Sequence, residues 1–474
     1  MDRRTNTTSP QEVLALCRER EVRAADLRFT DLFGKLHQLT VPISQLTEQA
    51  FRDGFGFDAS SIRGWQSVAQ SDMLLVPHPT NVWIDPFNRM PTVVLRCNVE
   101  DPITREEYSL DPRQVAIRAE TYLANTGVAD TAFLGPEAEF FIFDQVQFDQ
   151  RSNGSHYQVE SDEAWWNRGA NSESNLGHKM RRKEGYLPTA PNDQCIDIRN
   201  DMMQTLIESG IEVECHHHEV AAAGQSEINI RYSRLVEMAD TLMNYKYIVK
   251  NVARRNGKTV TFMPKPLVNE NGNGMHVHFS FWKNEEPLFA GGGYAGLSDT
   301  GLHAIGGVLK HARALFALTN PTTNSYKRLV PGFEAPVSLG YAARNRSAAI
   351  RIPMVSPNPA ARRVELRFPD PSCNPYLAFA GVVMAAIDGI QNKIHPGDPE
   401  ESQAYKDSES VATAAPRSLE EALDALEADC DFLLRGDVFT EQLLRDWISH
   451  KRQSEIAPMQ SRPHPYEYCL YFDT

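Results

Sequence analysis

Gly135-Pro-Glu137-Ala-Glu139-Phe-Phe141 sets two carboxylates two residues apart inside an apolar run. On a strand, that spacing sends both side chains to the same face. Three other segments follow the same rule. His216-His-His-Glu219 and Glu227 keep an even separation, as do His276-Val-His278-Phe-Ser280 and Glu365-Leu-Arg367. The pattern predicts four strand segments that show polar side chains on one face and apolar ones on the other. A single pair of this kind suits a solvated antiparallel strand. Five carboxylates and a histidine in apolar surroundings ask for more, because an unpaired buried charge is very costly. Divalent cations would offset that charge, and a carboxylate-dominated set suits Mg²⁺ or Mn²⁺ rather than zinc.

The cationic complement is Arg328, Arg346, Arg351, Arg362, Arg363 and Arg367, crowded into residues 328–367. Any one of them fits a solvated face. Beside metal-binding carboxylates, guanidinium groups are what phosphoryl transfer uses to hold the charge of the moving phosphate. A nucleotide-dependent enzyme is the sharper expectation. In the triple histidine, neighbouring strand residues point to opposite faces. At most His217 shares the orientation of Glu219 and Glu227, and His216 and His218 are expected to be packed or hydrogen-bonded.

The whole chain fits that class. It has 474 residues, 41% of them hydrophobic and 23% charged, which is ordinary for a folded globular protein. With 48 Lys and Arg against 62 Asp and Glu, the net charge is −14. That balance argues against nucleic-acid and anionic-membrane partners. The 7 cysteines form no Cys-x-x-Cys pair, as reduced thiols of a cytoplasmic protein would. Met1–Pro10 is polar, without a signal-peptide stretch. The longest apolar run, Tyr376–Ile387, is well short of the roughly 20 residues a bilayer span needs and reads as a buried helix.

Along the chain, the first hundred or so residues read mostly as strands. Leu27–Thr30 and Leu36–Val41 flank an Asp31-Leu-Phe-Gly34 turn, and Thr92–Val99 alternates. Asp111 as cap and Pro112 in the first turn open a helix that Gly127 stops. The division expected is 1–110, small and β-rich, and 111–474, large with mixed helices and strands. Residues 149–185 and 395–416 read as polar surface excursions. Gly257-Lys-Thr259 lacks the P-loop glycine, which would sit at Val252. Gly291-Gly-Gly-Tyr-Ala-Gly296 has dinucleotide-like spacing but follows a Glu-Glu-Pro turn, so it reads as a surface loop.

Longer motifs then identify a resemblance. Phe57-Asp-Ala-Ser-Ser61 with Ser71-Asp72, Gly135–Glu139, His216–Glu219, Lys265-Pro, Asn271-Gly-Asn-Gly-Met-His276 with Ser280, Asn324–Arg328 and Arg344-Asn-Arg346 resemble the signatures of bacterial type I glutamine synthetase. They run in order from about residue 25 to the C-terminal Leu470–Thr474. The resemblance implies an α+β fold: a small N-terminal β-grasp domain, and a large catalytic domain whose antiparallel strands form an open, funnel-like site surrounded by helices. It implies ATP-dependent ligation of ammonia to L-glutamate through a γ-glutamyl phosphate, with two to three Mg²⁺ or Mn²⁺ per site. It also implies a homo-oligomer of two stacked hexameric rings with sites between neighbouring subunits. Two rival readings stand beside it: a ligase joining glutamate to an amine such as a polyamine, and a non-catalytic regulatory relative.

Carried over by residue, Glu139, Glu219 and Glu227 resemble ligands of one metal, and Glu137, His276 and Glu365 those of the second. Asn271, Gly272 and Arg328 resemble glutamate-binding positions. Glu214, His278, Ser280, Arg346 and Arg351 resemble the nucleotide site. Glu334 is similar to a flap glutamate, Arg367 to an arginine on the transferring phosphate, and Asp58 with Asp72 to the ammonium-binding carboxylates. Three departures stand out. Ala59 replaces a glycine, and a backbone needing positive φ there would be strained by alanine. Ser356–Arg362 is one residue longer than in the family and puts Ala360 where a nucleotide-contacting lysine is expected, so Arg351, Arg362 or Arg363 is expected to substitute. Tyr405 falls at the position of a tyrosine that the family modifies with AMP. The run Glu401-Ser-Gln-Ala-Tyr405-Lys-Asp-Ser lacks the apolar and proline anchors, so Tyr405 is expected to stay mostly unmodified.

Overall fold

The structure is a computed structural model that describes residues 8–65, 71–167, 176–354, 356–400 and 414–474. Tyr405 lies outside the described residues.

Six strands build the first sheet: β1 (Ala24–Thr30), β2 (Leu36–Pro42), β3 (Phe55–Asp58), β4 (Asp72–Pro77), β5 (Trp83–Ile84) and β6 (Thr92–Glu100). Their order is β2-β1-β6-β4-β3, with β5 also on β6. The β1–β6 pair is parallel and the others are antiparallel. The Asp31 carboxylate shapes the β1–β2 turn by accepting from the backbone N–H groups of Phe33 and Lys35. The alternation expected of Thr92–Val99 is not realised as burial. Strand β6 is buried on both faces for most of its length, as an inner strand covered on both sides must be. Helix Pro10–Glu19 was not anticipated, although Ser9 caps it and Pro10 opens it. Its Val13, Leu16 and Cys17 join the core.

The helix Pro112–Thr126 forms as its caps foretell. Asp111 accepts from the Arg113 N–H at 2.9 Å, and Gly127 closes the helix in the left-handed conformation.

The second sheet holds β7 (Thr131–Phe143), β10 (Val213–His218), β11 (Gln225–Ile230), β12 (Ser233–Arg234), β13 (Thr259–Thr261), β14 (Met275–Lys283), β15 (Glu286–Pro287), β16 (Tyr341–Ala343), β17 (Ile350–Ile352) and β18 (Val364–Leu366). Its main path is β10-β11-β7-β14-β18-β17-β16, antiparallel except for β16–β17. The remaining pair, β8 (Gln145–Arg151) and β9 (Gly154–Glu160), is an exposed hairpin where the sequence suggested only a polar excursion. Behind it the chain tucks inward, burying Glu163, Met180 and Asp193.

Helices cover the sheets. Pro375–Gln391 is buried from Pro375 to Gly389, as its apolar run requires. Among the described residues, no helix is long and apolar enough to cross a membrane. The glycine-rich stretch at 291–296 is a loop with Gly291, Gly292 and Gly293 exposed. All 7 cysteines are free. Asn374 Nδ2 donates to the Asp31 and Leu32 carbonyls across 343 and 342 residues, so the first sheet's turn is fixed to the start of the central helix.

Candidate active site

The strand register sets polar side chains in a row across six strands. His217 on β10 lies opposite Glu227 on β11, and Glu227 lies opposite Glu139 on β7. On the other side of β7, His276 of β14 pairs with Glu137. His278 of β14 faces Glu365 of β18, which in turn faces Arg351 of β17. Directly opposed residues in an antiparallel sheet project to the same side, so the row occupies one face. The even spacings therefore meet in one place.

One pairing differs from the sequence reading. Glu219 and Glu227 do not share a single strand face. Glu219 ends the β10 strand, and the chain reverses through 220–224 before Glu227 returns on β11. Gly224 makes the reversal possible, with φ +78° and its α-carbon pressed against the Ile142 carbonyl, where a side chain would collide. The hairpin still unites the carboxylates. Ligand atoms of His217, Glu219 and Glu227 lie within 4.8 Å of one another. His217 thus joins a group that the resemblance assigns to Glu139, Glu219 and Glu227. The Glu139 carboxylate is held by Gln225 Nε2 at 3.1 Å and the Gly274 N–H at 2.8 Å. His216 and His218 are structural: His216 bonds Arg199 and Asn200, and His218 Nε2 meets Glu163 at 2.7 Å in the interior.

The second group gathers around Glu137. His276 Nδ1 lies 3.5 Å from Glu137 and 3.9 Å from Glu365. His278, given by the resemblance to the nucleotide, is also here, with Nε2 3.0 Å from Glu137 Oε1. Glu137, His278 and Glu365 form a cluster within 4.8 Å. Glu365 is fully buried and paired with Arg351 and, at 2.5 Å, with Arg367.

The electrostatics differ between the two groups. Burial opposes ionisation of Glu137, but the His278 and His276 imidazoles outweigh it and hold the carboxyl well below its usual range. On the other side, burial pushes Glu139 up to about 7, and burial with the Glu139 charge pushes Glu219 up to about 8. Glu227 is raised well above normal by burial and by Glu137, Glu139 and Glu219. Among the described residues, the ion pairs of Glu219 and Glu227 are with His217 alone. Burial, with Arg367 close by, lowers His276 to about 4 and keeps its ring neutral. Crowded carboxylates short of positive charge, beside neutral imidazole, are a donor set that fits hard divalent cations.

The other predicted residues fall into two places. Arg328 is buried, donating to the carbonyls of Phe368 and Arg367, and its side chain packs over Gly272 and Gly274. Asn271 is buried with an Oδ1 that has no partner, as a group reserved for a ligand would be. Glu334 sits in an exposed turn with φ +56°, and its charge and that of Arg346 are both felt at Glu219. Ser280 accepts from Trp282 on β14, and Glu214 is exposed on β10. Asp58 and Asp72 stand apart. They face each other, both exposed, where the edge strand β3 ends beside the start of β4 in the first sheet. Asp58 accepts from Ser60 and Ser61, which lower its pKa. The strain foreseen at Ala59 does not arise: it has no positive φ and is fully buried. Near Ala360, Arg363 reaches His278 and Arg351 reaches Glu365, whereas Arg362 turns to Met354. Gln225 escaped the sequence reading, although it lies two residues before Glu227 and shares its face by the same rule.

Comparison with known proteins agrees with this architecture. A family model described as the glutamine synthetase beta-Grasp domain matches residues 21–102, and one described as the glutamine synthetase catalytic domain matches 109–471. Glutamine synthetase of Frankia alni is 54% identical over 98% of this chain and 99% of its own length, and that of Aquifex aeolicus is 54% identical over the same shares. A cryo-EM structure of Plasmodium falciparum glutamine synthetase superposes with a TM-score of 0.91 at 29% identity, covering 99% of this chain and 100% of that one. With both domains matched and such relatives paired along almost their full length, the chain belongs to the glutamine synthetase family of ligases.

Proposed function

We propose that the protein joins ammonia to L-glutamate at the expense of ATP, through a γ-glutamyl phosphate. The observation that carries this reading is the single sheet face on which Glu137, Glu139, Glu219, Glu227, His276 and Glu365 converge, flanked by Arg351 and Arg367. These six residues would hold two to three Mg²⁺ or Mn²⁺ ions, with His217 beside them. The ions, once bound, would neutralise the phosphates and draw charge from the transferring group.

The chain's own residues account for the other requirements. A carboxylate is a poor electrophile, so phosphorylation must precede attack by ammonia. Arg367, with Arg346 and Arg351, steadies the phosphate. His278, Ser280 and Glu214 border the nucleotide, and Asn271, Gly272 and Arg328 receive glutamate. Ammonium becomes a nucleophile only on losing its proton, a task for anionic groups such as Asp58 and Asp72. Hydrogen bonds from Ser60 and Ser61 favour the ionised form of Asp58. Glu334 would close over the intermediate and exclude water.

The exposed position of Asp58 and Asp72 beside the edge strand β3 supports a site completed by a neighbouring subunit, and the two stacked rings follow from the family resemblance. The division at residue 110 belongs to the same reading, as does a cytoplasmic setting, which suits 7 free thiols. A phosphate-release assay with ATP, glutamate and Mg²⁺, comparing ammonium with a panel of amines, tests the proposal. Ammonium-dependent release is expected. Strict dependence on a polyamine, or no turnover at all, would overturn it.

A further inference from the structure

Arg363 stands just before β18, directly after the lengthened 356–362 segment. Its Nε donates to His278 Nδ1 at 3.1 Å, and its Nη1 donates to the Ala361 carbonyl at 3.1 Å. Guanidinium nitrogens offer protons only and do not give them up in proteins. His278 Nδ1 must therefore present a lone pair to Arg363. The ring proton then sits on Nε2, which is 3.0 Å from Glu137 Oε1 and donates to it. Asn229 Nδ2 reaches the same oxygen at 3.5 Å, while Oε2 is the atom turned toward His276.

We propose that Arg363 is a positioning residue that locks His278 in the Nε2–H tautomer, so that His278 aims the Glu137 carboxylate instead of binding a cation itself. This decides between the two imidazoles beside Glu137. An Nε2 that carries a proton toward a carboxylate has no lone pair for a metal, so His278 is an orienter. His276 is left as the imidazole that can ligate, together with Glu137 Oε2 and Glu365. Outer partners of this kind typically change metal affinity by about 10- to 100-fold when removed. The tautomer itself stands on protein contacts alone. Its consequence for a cation rests on the ligase reading given above.

The two parts are separable by experiment. Solid-state ¹⁵N NMR of the full chain labelled at histidine reports the tautomer, with the His278 signals assigned by their loss in His278→Asn. The native protein is expected to show a protonated Nε2 and a bare Nδ1 for this ring. Arg363→Met is expected to lose that preference and to weaken Mn²⁺ binding about 10-fold, measured by EPR titration without nucleotide. Arg363→Lys, which keeps a donor, is expected to restore both. A protonated Nδ1 in the native ring would overturn the proposal even if Arg363→Met fails to fold. An Arg363→Met protein with unchanged tautomer or unchanged Mn²⁺ affinity would overturn it too. If native protein binds Mn²⁺ tightly yet shows no ammonium-dependent turnover, the ligase reading fails while the tautomer result still decides this one.

Discussion

Arg113 grips Asp240 through two parallel hydrogen bonds, Nε to Oδ1 and Nη2 to Oδ2, both at 3.1 Å. Asp240 is fully buried on helix Leu235–Arg255 and also takes the Tyr376 hydroxyl at 2.5 Å. Arg96 of β6 approaches it at 3.7 Å. Burial works to protonate this carboxyl, but Arg113 and Arg96 outweigh it and keep the pKa low. One charge thus joins the first sheet, the helix after it and the central apolar helix. Asp240→Ala would leave two buried guanidinium groups without a counter-charge, a loss of about 3–5 kcal/mol. A clearly lower urea midpoint at constant protein concentration is expected. An unchanged midpoint would show that the arginines are neutralised by other groups.

The carboxylate-rich face around Glu139 and Glu219 links stability to pH. With folded pKa values of about 7 for Glu139 and about 8 for Glu219, the metal-free native state holds protons that an unfolded chain has lost above its ordinary value near 4.5. The contribution is fully present below about 4.5 and disappears as pH rises through 7 to 8, so the chelated protein loses stability across that window. A bound cation takes the protons' place. The rise in melting temperature on adding Mg²⁺ should therefore be larger at pH 8.5 than at pH 6, with protons released on binding. Calorimetry in buffers of different ionisation enthalpy measures the release. Equal Mg²⁺ stabilisation at both pH values would contradict the linkage.

A shared site makes a separate prediction. Asp58 lies at the edge of the first sheet and Glu365 in the interior of the second. Homogeneous Asp58→Ala and Glu365→Ala assemblies should each lose at least 100-fold in turnover. Co-assembled subunits should recover part of it, because some interfaces then pair an intact edge with an intact metal face. No recovery in mixed assemblies verified by native mass would count against sharing.

Gly272 tests the glutamate subsite. A β-carbon there would collide with the Pro264 carbonyl and come 3.1 Å from Arg328 Cγ. Overpacking of this kind typically costs about 1–3 kcal/mol. Displacing Arg328 should raise the KM for glutamate about 10-fold or more in Gly272→Ala, with the KM for ATP changed far less. Steady-state kinetics with each substrate varied separately would show the split. A matched rise in both would place Gly272 outside the glutamate subsite.

Local chemistry carried much of this into the sequence. Asp111, Pro112 and Gly127 bound their helix because capping and backbone stereochemistry act within a few residues. The strand period of two put Glu137 with Glu139 and singled out His217 from its neighbours, since alternation needs no knowledge of the partner strand. The pairings across strands needed the fold. Glu219 and Glu227 meet through a hairpin whose turn depends on Gly224 pressed against Ile142, a contact 82 residues distant in the chain (224 − 142). Asp240 looks like any helical aspartate until β6 and two helices close on it, because only burial makes its charge expensive to leave alone. Likewise His276 and His278 are equivalent by spacing. Register places both beside Glu137, and the donor that separates them comes from Arg363, 85 residues away. Residue spacing determines which side chains share a face; which of them are paired, protonated or left for a ligand is decided by what the tertiary structure packs against them, since hydrogen bonding and desolvation act through space.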